Sequence, residues 1–280
     1  MKIARALFIA SYRLSHACLG MQFDHYLKNI DQTYIFTDCE PAFIDGVLQR
    51  YGIDTSKFVY VQDREMDALY PTLRNWWFDG DHRGSWLYQQ ALKMASLDYI
   101  DADVIMIQDP DTFCIEPYHL IVDGKPNYFI LPNERHTDGY YQVLENCLGI
   151  ERQTEHCFVS EFMPMFKEDW LSLKHSAESR NNKNVFDAII DAVPIEPYDG
   201  LRWFSEYEFL ANWTMTQRPI EMTVQRRFQY KTLADIGLLS RDYNCACDAI
   251  PKLADSIVLD FNTGIVTDFD KIFDQVKKFL

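Results

Sequence analysis

The sequence lacks an excess of positive charge, and this absence limits the kinds of molecule that the protein is expected to bind. Lysine and arginine number 27 against 42 aspartate and glutamate residues, so the formal net charge of the 280 residues is −15. A chain this acidic is expected to bind neither nucleic acid nor an anionic membrane as its main partner. An anionic small substrate stays open, because a bound divalent cation can reverse the sign of the local field.

The sequence also lacks a regular cysteine pattern, a secretion signal and a membrane span. Its seven cysteines are odd in number and irregularly spaced, which favours free thiols in a reducing compartment. The N-terminal apolar run, Ala6–Ala10, is much shorter than the apolar part of a signal peptide. No stretch approaches the roughly 20 apolar residues of a membrane span. We therefore expect a soluble, cytoplasmic protein.

Internal repeats, low-complexity tracts and glycine- or serine-rich linkers are missing as well. Hydrophobic residues make up 48% of the chain, enough for one sizeable core. We expect one domain over residues 1–240, with halves at 1–115 and 116–240, and a C-terminal extension over 241–280. The extension is predicted to end in a helix, Thr267–Leu280, with acids in its first turn and lysines in its last.

Apolar strands and helices alternate through the first 110 residues. This alternation predicts an α/β fold with a mostly parallel central sheet flanked by helices. Ligands of such sheets bind beyond the carboxyl ends of the strands, where Ser11, Asp38, Asp63 and Asp109 stand. The predicted strands are residues 4–12, 33–38, 57–63 and 103–109, and the predicted helices are 20–30, 40–52 and 84–100.

The second half of the chain is less regular. Strands are predicted at residues 127–132 and 157–166, the latter broken near Pro164, and at 222–230, where Arg226 and Arg227 give a basic face. Helices are predicted at 167–180, 184–193 and 204–216. Ser205 and Glu208 have the spacing of a capping box at the start of the last helix.

Two acids flank a proline at the end of the predicted strand Val104–Gln108. Asp109 and Asp111 could form a plain turn with two exposed carboxylates. They could equally turn toward one hard cation, Mg²⁺ or Mn²⁺, which takes oxygen ligands and keeps positions for substrate phosphates. Pro110 would stiffen the bend between them.

The helix before this strand carries Trp86, Gln89, Gln90 and Lys93 at helical spacing. The two glutamines could hydrogen-bond a ligand or could be solvated. Lys93 could meet a phosphate, or could extend to the surface with its ammonium in water. The helix therefore favours a functional role for Asp109 and Asp111, but it leaves both interpretations of the pair open.

Four motifs in this order resemble a bacterial and viral family of predicted GT-A-fold glycosyltransferases known as a domain of unknown function. They are the Trp-x-x-Gln-Gln-x-x-Lys helix from Trp86, the Asp-x-Asp pair, "CFVSEFMPMF" and "WFSEYEFLANW". The resemblance extends from about Tyr12 to Trp213. It implies a metal-dependent hexosyltransferase-like enzyme with a nucleotide diphospho-sugar donor, UDP- or GDP-linked, and a carbohydrate or other hydroxyl acceptor.

The resemblance also implies roles for individual residues. Asp109 and Asp111 would bind Mn²⁺ or Mg²⁺, which stabilises the departing diphosphate, so that Asp111 belongs to the catalytic set. The first half of the chain would hold the donor and the second half the acceptor. The donor would contact the following residues: Ser11, Tyr12, Arg13, Asp38, Trp86, Gln89, Gln90, Lys93 and Asp109.

The acidic motifs of the second half offer the remaining carboxylates. An inverting transfer needs a base for the acceptor hydroxyl, and Glu206 and Glu208 are the candidates. We expect Glu206 to supply the base and Glu208 to fit the capping role, while Glu208 is also a candidate to bind the sugar or the acceptor. Both could instead be structural caps. Glu161, in the "FVSEFM" segment, is an alternative carboxylate for hydroxyls of the sugar or acceptor.

Two departures from the GT-A pattern keep another function open. No histidine follows His175, so the usual late histidine ligand of the cation is missing, and the first strand is followed by Arg13 and His16 rather than an acid. A non-catalytic or degenerate carbohydrate- or nucleotide-binding domain would also fit. A haloacid-dehalogenase-type phosphohydrolase fits less well, because its acidic pair belongs on the first strand.

Overall fold

The structure, a computed structural model, describes residues 1–10, 21, 29–76, 84–110, 112–113, 118–131, 138–195, 202–224 and 257–258. Strands and helices alternate through its first half, as the hydrophobic pattern predicts. A 3₁₀ helix, Pro71–Trp76, precedes the central helix. The other elements are β1 (Ile3–Ile9), β2 (Gln32–Thr37), α1 (Pro41–Arg50), β3 (Phe58–Gln62), α2 (Asp63–Leu69), α3 (Gly84–Tyr99) and β4 (Val104–Gln108).

The second half of the described chain mixes short strands with helices. A π-helical turn, Leu144–Leu148, continues the short helix α4. The elements are β5 (Thr112–Phe113), β6 (Ile121–Val122), β7 (Lys125–Ile130), α4 (Gly139–Val143), β8 (Phe162–Phe166), α5 (Lys167–Asn181), α6 (Val185–Ala192), α7 (Glu206–Gln217), β9 (Glu221–Val224) and β10 (Ile257–Val258).

The central sheet has the strand order β3-β2-β1-β4-β8. The first four strands are parallel, and β8 runs antiparallel to β4 at the sheet edge. The predicted mostly parallel sheet is therefore confirmed. The carboxyl ends of β1 to β4 meet at one edge, and the reversed direction of β8 brings its preceding residue, Glu161, to that edge too.

Helices cover both faces of the sheet. On one face, Ala4, Ala6 and Phe8 of β1 belong to the same buried cluster as residues of α3. On the other face, Leu7 and Ile9 share a cluster with residues of α1. Because both faces are covered, all five residues of β4 are buried, as is usual for parallel strands with helices on either side.

Two smaller sheets complete the described fold. β7 pairs with β6 in antiparallel fashion and with β9 in parallel, while β10 pairs with β5, directly after the acidic pair. No helix of the described residues is long and apolar enough to cross a membrane. The predicted helices at 20–30 and 267–280 and the basic segment beyond Val224 lie outside the described residues, apart from single positions.

Two local predictions are wrong. Asp63 does not end a strand but opens α2, where Gln62 and Glu65 form a capping box that supplies hydrogen bonds to the first turn. Pro164 does not break its strand, because β8 is continuous and pairs Pro164 with Met106. An edge strand tolerates proline, since one of its sides needs no backbone donor.

Candidate active site at the carboxyl edge of the sheet

A cavity of about 630 Å³ opens at the carboxyl edge of the central sheet. It brings together predicted site residues from distant parts of the sequence. The helix α3 and the end of β4 contribute Trp86, Gln89, Gln90, Lys93 and Asp109. The remaining predicted residues on its wall are Asp38, Glu161 and Glu206.

Several predicted site residues lie outside the described part of the chain. Ser11, Tyr12, Arg13 and Asp111 are in this group, so their assigned contacts stay predictions. Ala10 and Pro110, which adjoin them in the sequence, line the cavity.

Lys93 is the centre of the site. Its side chain is 2% exposed, and its Nζ lies 2.6 Å from Asp109 Oδ1 and 2.6 Å from Glu206 Oε1. The ammonium also lies over the Tyr207 ring, 4.6 Å from its centroid. The alternative that Lys93 extends to the surface is therefore wrong, and two carboxylates are bridged by one buried cation.

Burial and charge act in opposite directions on these groups. Burial lowers the pKa of Lys93, but the negative charges of Asp109 and Glu206 raise it by a larger amount. The pKa of Lys93 is therefore above its usual value, and the lysine is cationic. Burial, with a contribution from Asp109, raises the pKa of Glu206, although Lys93 opposes this. Glu206 is consequently a stronger proton acceptor than an exposed glutamate.

The start of α7 fixes the orientation of Glu206. Ser205 is the N-cap, and its side chain accepts a hydrogen bond from the Glu208 N–H at 3.4 Å. Glu206 therefore occupies the first helical turn, where a carboxylate is favoured by the helix dipole. The cap predicted from the sequence is confirmed for Ser205, but the capping role predicted for Glu208 is wrong, because the Glu208 carboxylate accepts hydrogen bonds from Phe158 and Asn212 instead.

Glu208 does not line the cavity. It is fully buried, and its Oε1 accepts the Phe158 N–H at 2.9 Å while Asn212 donates to Oε2 at 3.3 Å. Burial raises the pKa of Glu208, and the hydrogen bond from Phe158 partly offsets this. The carboxylate thus joins α7 to the segment before β8, and the geometry gives it no direct path to a ligand.

The segment before β8 runs beside Asp109. The Glu161 carbonyl accepts the Asp109 N–H at 2.7 Å, and the Glu161 side chain is half-buried on the cavity wall. Glu161 has a positive φ of 67°. Two carboxylates, Asp109 and Glu161, are therefore carried by adjacent backbone segments at the same edge.

The opposite end of the cavity lies at the ends of β2 and β3. Burial, followed by repulsion from Asp38 and Asp67, raises the pKa of Asp63 to about 6, while Arg74 opposes the shift. Arg74 Nε donates to Asp67 at 2.7 Å, and Tyr88 OH donates to the same carboxylate at 2.7 Å. Sequence reasoning missed Arg74, since nothing in "PTLRNWW" marks an arginine that faces a site.

Aromatic side chains form another part of the wall. Trp86 and Tyr140 line the cavity, and each ring lies 6.3 Å, centroid to centroid, from the ring of Trp203. Aromatic faces together with convergent polar groups are typical of small-molecule sites.

The residues at Asp109 fit a hard divalent cation in charge and ligand type. The ion pair with Lys93 uses the Oδ1 atom of Asp109, and a carboxylate has a second oxygen that can ligate a metal. Among the described residues, no cluster of three or more potential metal ligands is present. That Asp109 and Asp111 bind a cation therefore stays a prediction.

Comparisons with solved structures define the class of fold. The chain is similar to the galactosyltransferase LgtC in complex with donor and acceptor sugar analogs, with a TM-score of 0.51, 11% identity and coverage of 98% of this chain and 95% of that chain. An active-site mutant of LgtC gives a TM-score of 0.52 at 12% identity and the same coverage. Mouse xyloside xylosyltransferase 1 gives 0.51 at 12% identity, with 95% and 100% covered. The predicted GT-A fold is therefore confirmed.

The chain itself belongs to DUF6492, a family of unknown function, whose pattern matches residues 51–224. The matched range includes Lys93, Asp109, Glu161 and Glu206. No curated protein matches the sequence.

Proposed function

We propose that this protein is a cation-dependent glycosyltransferase, which moves a sugar from a nucleotide diphospho-sugar to a hydroxyl group of a carbohydrate acceptor. The observation that carries the proposal is the buried Lys93, which joins Asp109 to Glu206 on the wall of the 630 Å³ cavity. The cavity lies where ligands of parallel sheets bind. Support also comes from the fold, which is shared with a galactosyltransferase that holds donor and acceptor sugar analogs.

The charge of the cavity supports a requirement for a cation. Six acidic and three basic residues among the described residues line it, a formal balance of −3. A diphosphate would be repelled by such a wall unless a divalent ion reversed the local sign. The acidic set is Asp38, Glu40, Asp63, Asp109, Glu161 and Glu206, and the basic set is Arg64, Arg74 and Lys93.

In this proposal, Asp109 and Asp111 would hold Mn²⁺ or Mg²⁺. The cation would supply Lewis-acid stabilisation of the negative charge on the leaving nucleoside diphosphate. Lys93 keeps Asp109 in place through the ion pair between its Nζ and Asp109 Oδ1, which are 2.6 Å apart. Asp38, at the end of β2, belongs to the part of the cavity that takes the nucleoside.

Glu206 is the carboxylate that we assign to the reaction centre. It lies across the Lys93 ammonium from Asp109, and therefore near the bond between sugar and diphosphate. In an inverting transfer, Glu206 accepts the proton of the acceptor hydroxyl as its oxygen forms the new bond to the anomeric carbon. The bond from the anomeric carbon to the diphosphate oxygen breaks, and its electron pair leaves with the nucleotide.

Donor hydrolysis tests the proposal. Purified protein is incubated with UDP- and GDP-sugars, with Mn²⁺ or with a chelator, and release of UDP or GDP is measured. We expect slow release from one donor that requires the cation, and a loss of about 100-fold or more in Asp109→Asn. A matched control is Asp101→Asn. Asp101 precedes the N-terminal end of β4, away from the cavity, and its side chain is fully exposed.

Other outcomes point to the other functions. Glycan binding without any response to a nucleotide sugar would indicate a non-catalytic binding domain. Release of phosphate from simple monoesters would indicate a phosphohydrolase. Equal activity of Asp109→Asn and Asp101→Asn would remove Asp109 from the site.

A further inference from the structure

Glu161 has an unusual backbone conformation for its residue type. Its φ of 67° lies in the left-handed region, which the described residues Asn29, Asp123 and Asn182 also adopt. Asparagine and aspartate tolerate this region, because their short polar side chains can hydrogen-bond locally. Glutamate is not among the residue types that are enriched in this region, so the conformation sets this position apart.

The backbone explains the turn but not the glutamate. The left-handed turn lets the Glu161 carbonyl accept the Asp109 N–H at 2.7 Å, directly beyond the Gln108–Phe162 pair of the β4–β8 ladder. A glycine would hold the same contact without the steric cost of a Cβ atom. Residues held in strained conformations are concentrated at ligand sites, and Glu161 lies on the wall of the cavity.

Glu161 is a half-buried residue of the cavity wall, which also includes Lys93, Asp109 and Glu206. Asp109 is the residue assigned to the cation and diphosphate. In a nucleotide diphospho-sugar the sugar follows directly on the diphosphate. A carboxylate on the backbone segment adjacent to Asp109 therefore falls within reach of the sugar.

We propose that Glu161 binds hydroxyl groups of the transferred sugar and excludes sugars that carry a carboxylate. This inference rests on the proposed function. An ionised carboxylate can accept hydrogen bonds from two adjacent hydroxyls, and a site built for such bonds rejects analogues that leave it unpaired. A uronic acid would add a negative charge to a wall whose described residues already sum to −3. The donor class is thus a neutral sugar with adjacent free hydroxyls.

Two variants of Glu161 and one control test the inference. Binding and hydrolysis are measured with Mn²⁺ for UDP-glucose, UDP-galactose, UDP-xylose, GDP-mannose and UDP-glucuronic acid. Glu161→Gly removes the side chain and the strain, and Glu161→Gln removes only the charge. The control is Asp123→Gly, an exposed position in the β6–β7 turn that also has a positive φ, of 50°.

We expect the wild type to prefer one neutral donor over the uronate. Both Glu161 variants should bind that donor about 10-fold more weakly or worse, since a site built for hydroxyls loses its acceptor, and should discriminate less against UDP-glucuronic acid. The control should keep wild-type binding. Glu161→Gly should also raise the Tm by roughly 2 °C through the relief of strain.

The outcomes separate this inference from the proposed function. A wild type that prefers the uronate, or Glu161 variants that keep the wild-type preference, would overturn the role of Glu161 and leave the transferase standing. Glu161→Gln keeps the shape of the side chain, so it decides the matter even if Glu161→Gly folds poorly. A wild type that responds to no nucleotide sugar would overturn both.

Discussion

The acidic side chains at the two ends of the cavity have different charged neighbours. At the β4 end, Asp109 and Glu206 share the ammonium of Lys93, which is 2% exposed. At the β3 end, Asp63 faces the charges of Asp38 and Asp67, and Arg74, the cation that lowers its pKa, is 55% exposed. Carboxylates are thus paired with a buried cation at one end and lie beside other carboxylates at the other end.

This difference separates two tasks of a site. A carboxylate paired with a buried lysine is fixed in position, which suits the ligand of a cation and a reacting carboxylate. The carboxyl group of Asp63, with a pKa of about 6, changes its charge near neutral pH. In its protonated form it can donate a hydrogen bond to a neutral ligand, and in its ionised form it can accept one. Substitutions of Lys93 at one end, and of Asp63 and Arg74 at the other, test this difference.

The largest effect is expected from Lys93→Met. It leaves Asp109 and Glu206 without their shared cation in a dry environment, and the loss of one partner from a buried ion pair costs about 3–5 kcal/mol. The measurement is the free energy of unfolding in urea at pH 7. Lys93→Met combined with Glu206→Gln should recover part of the loss, since it removes one uncompensated charge.

A loss below about 1 kcal/mol in Lys93→Met would contradict the comparison. It would mean that water reaches Lys93 and that the pair behaves like an exposed one.

A smaller effect that depends on pH is expected from Asp63→Asn. Below about pH 4 Asp63 is protonated in the folded and unfolded states, because its usual pKa is 3.8. As pH rises the unfolded chain releases its proton first, so the folded state loses stability until the folded pKa of about 6 is passed. Because Asp63 is only partly buried, we discount the loss to about 1–2 kcal/mol.

Asp63→Asn lacks this loss. Its advantage over the wild type in unfolding free energy should therefore be near zero at pH 4 and reach its full value by about pH 7. A constant difference between the two proteins across that range would show that Asp63 is not perturbed.

The smallest effect is expected from Arg74→Met at the exposed end. Its ion pair with Asp67 lies at the surface, where such pairs contribute about 0–1 kcal/mol. Arg74 also lowers the pKa of Asp63, so the variant should raise that pKa further. An NMR titration of the Asp63 carboxyl measures this shift, and a cost as large as that of Lys93→Met would contradict the difference in exposure between the two ends.

The sequence predicts the part of the fold that local patterns determine. Val104–Gln108 is a fully apolar run apart from its last residue, and it forms the buried strand that was expected. The spacing in α3 places Gln89, Gln90 and Lys93 near the carboxyl end of β4. The parallel sheet then explains why acids at strand ends meet on one edge.

The pairing of Lys93 could not be predicted in the same way. Its partner Glu206 is 113 residues away, and no local periodicity reports a contact over that distance. The capping box that starts α2 was missed because Asp63 follows an apolar strand directly, and strand-end acids and helix caps look alike there. The conformation of Glu161 has no signal at all, since a positive φ is normally marked by glycine.

The position of Lys93 on α3 affects how much the site must reorganise when a ligand binds. Most of α3 is buried against the sheet, including Leu87, Ala91 and Met94. The Lys93 ammonium, which pairs with Asp109 and Glu206, is thus carried by a helix that is packed against the sheet and holds it in position. Binding then spends little free energy on reorganising these groups, which is the condition called electrostatic preorganisation.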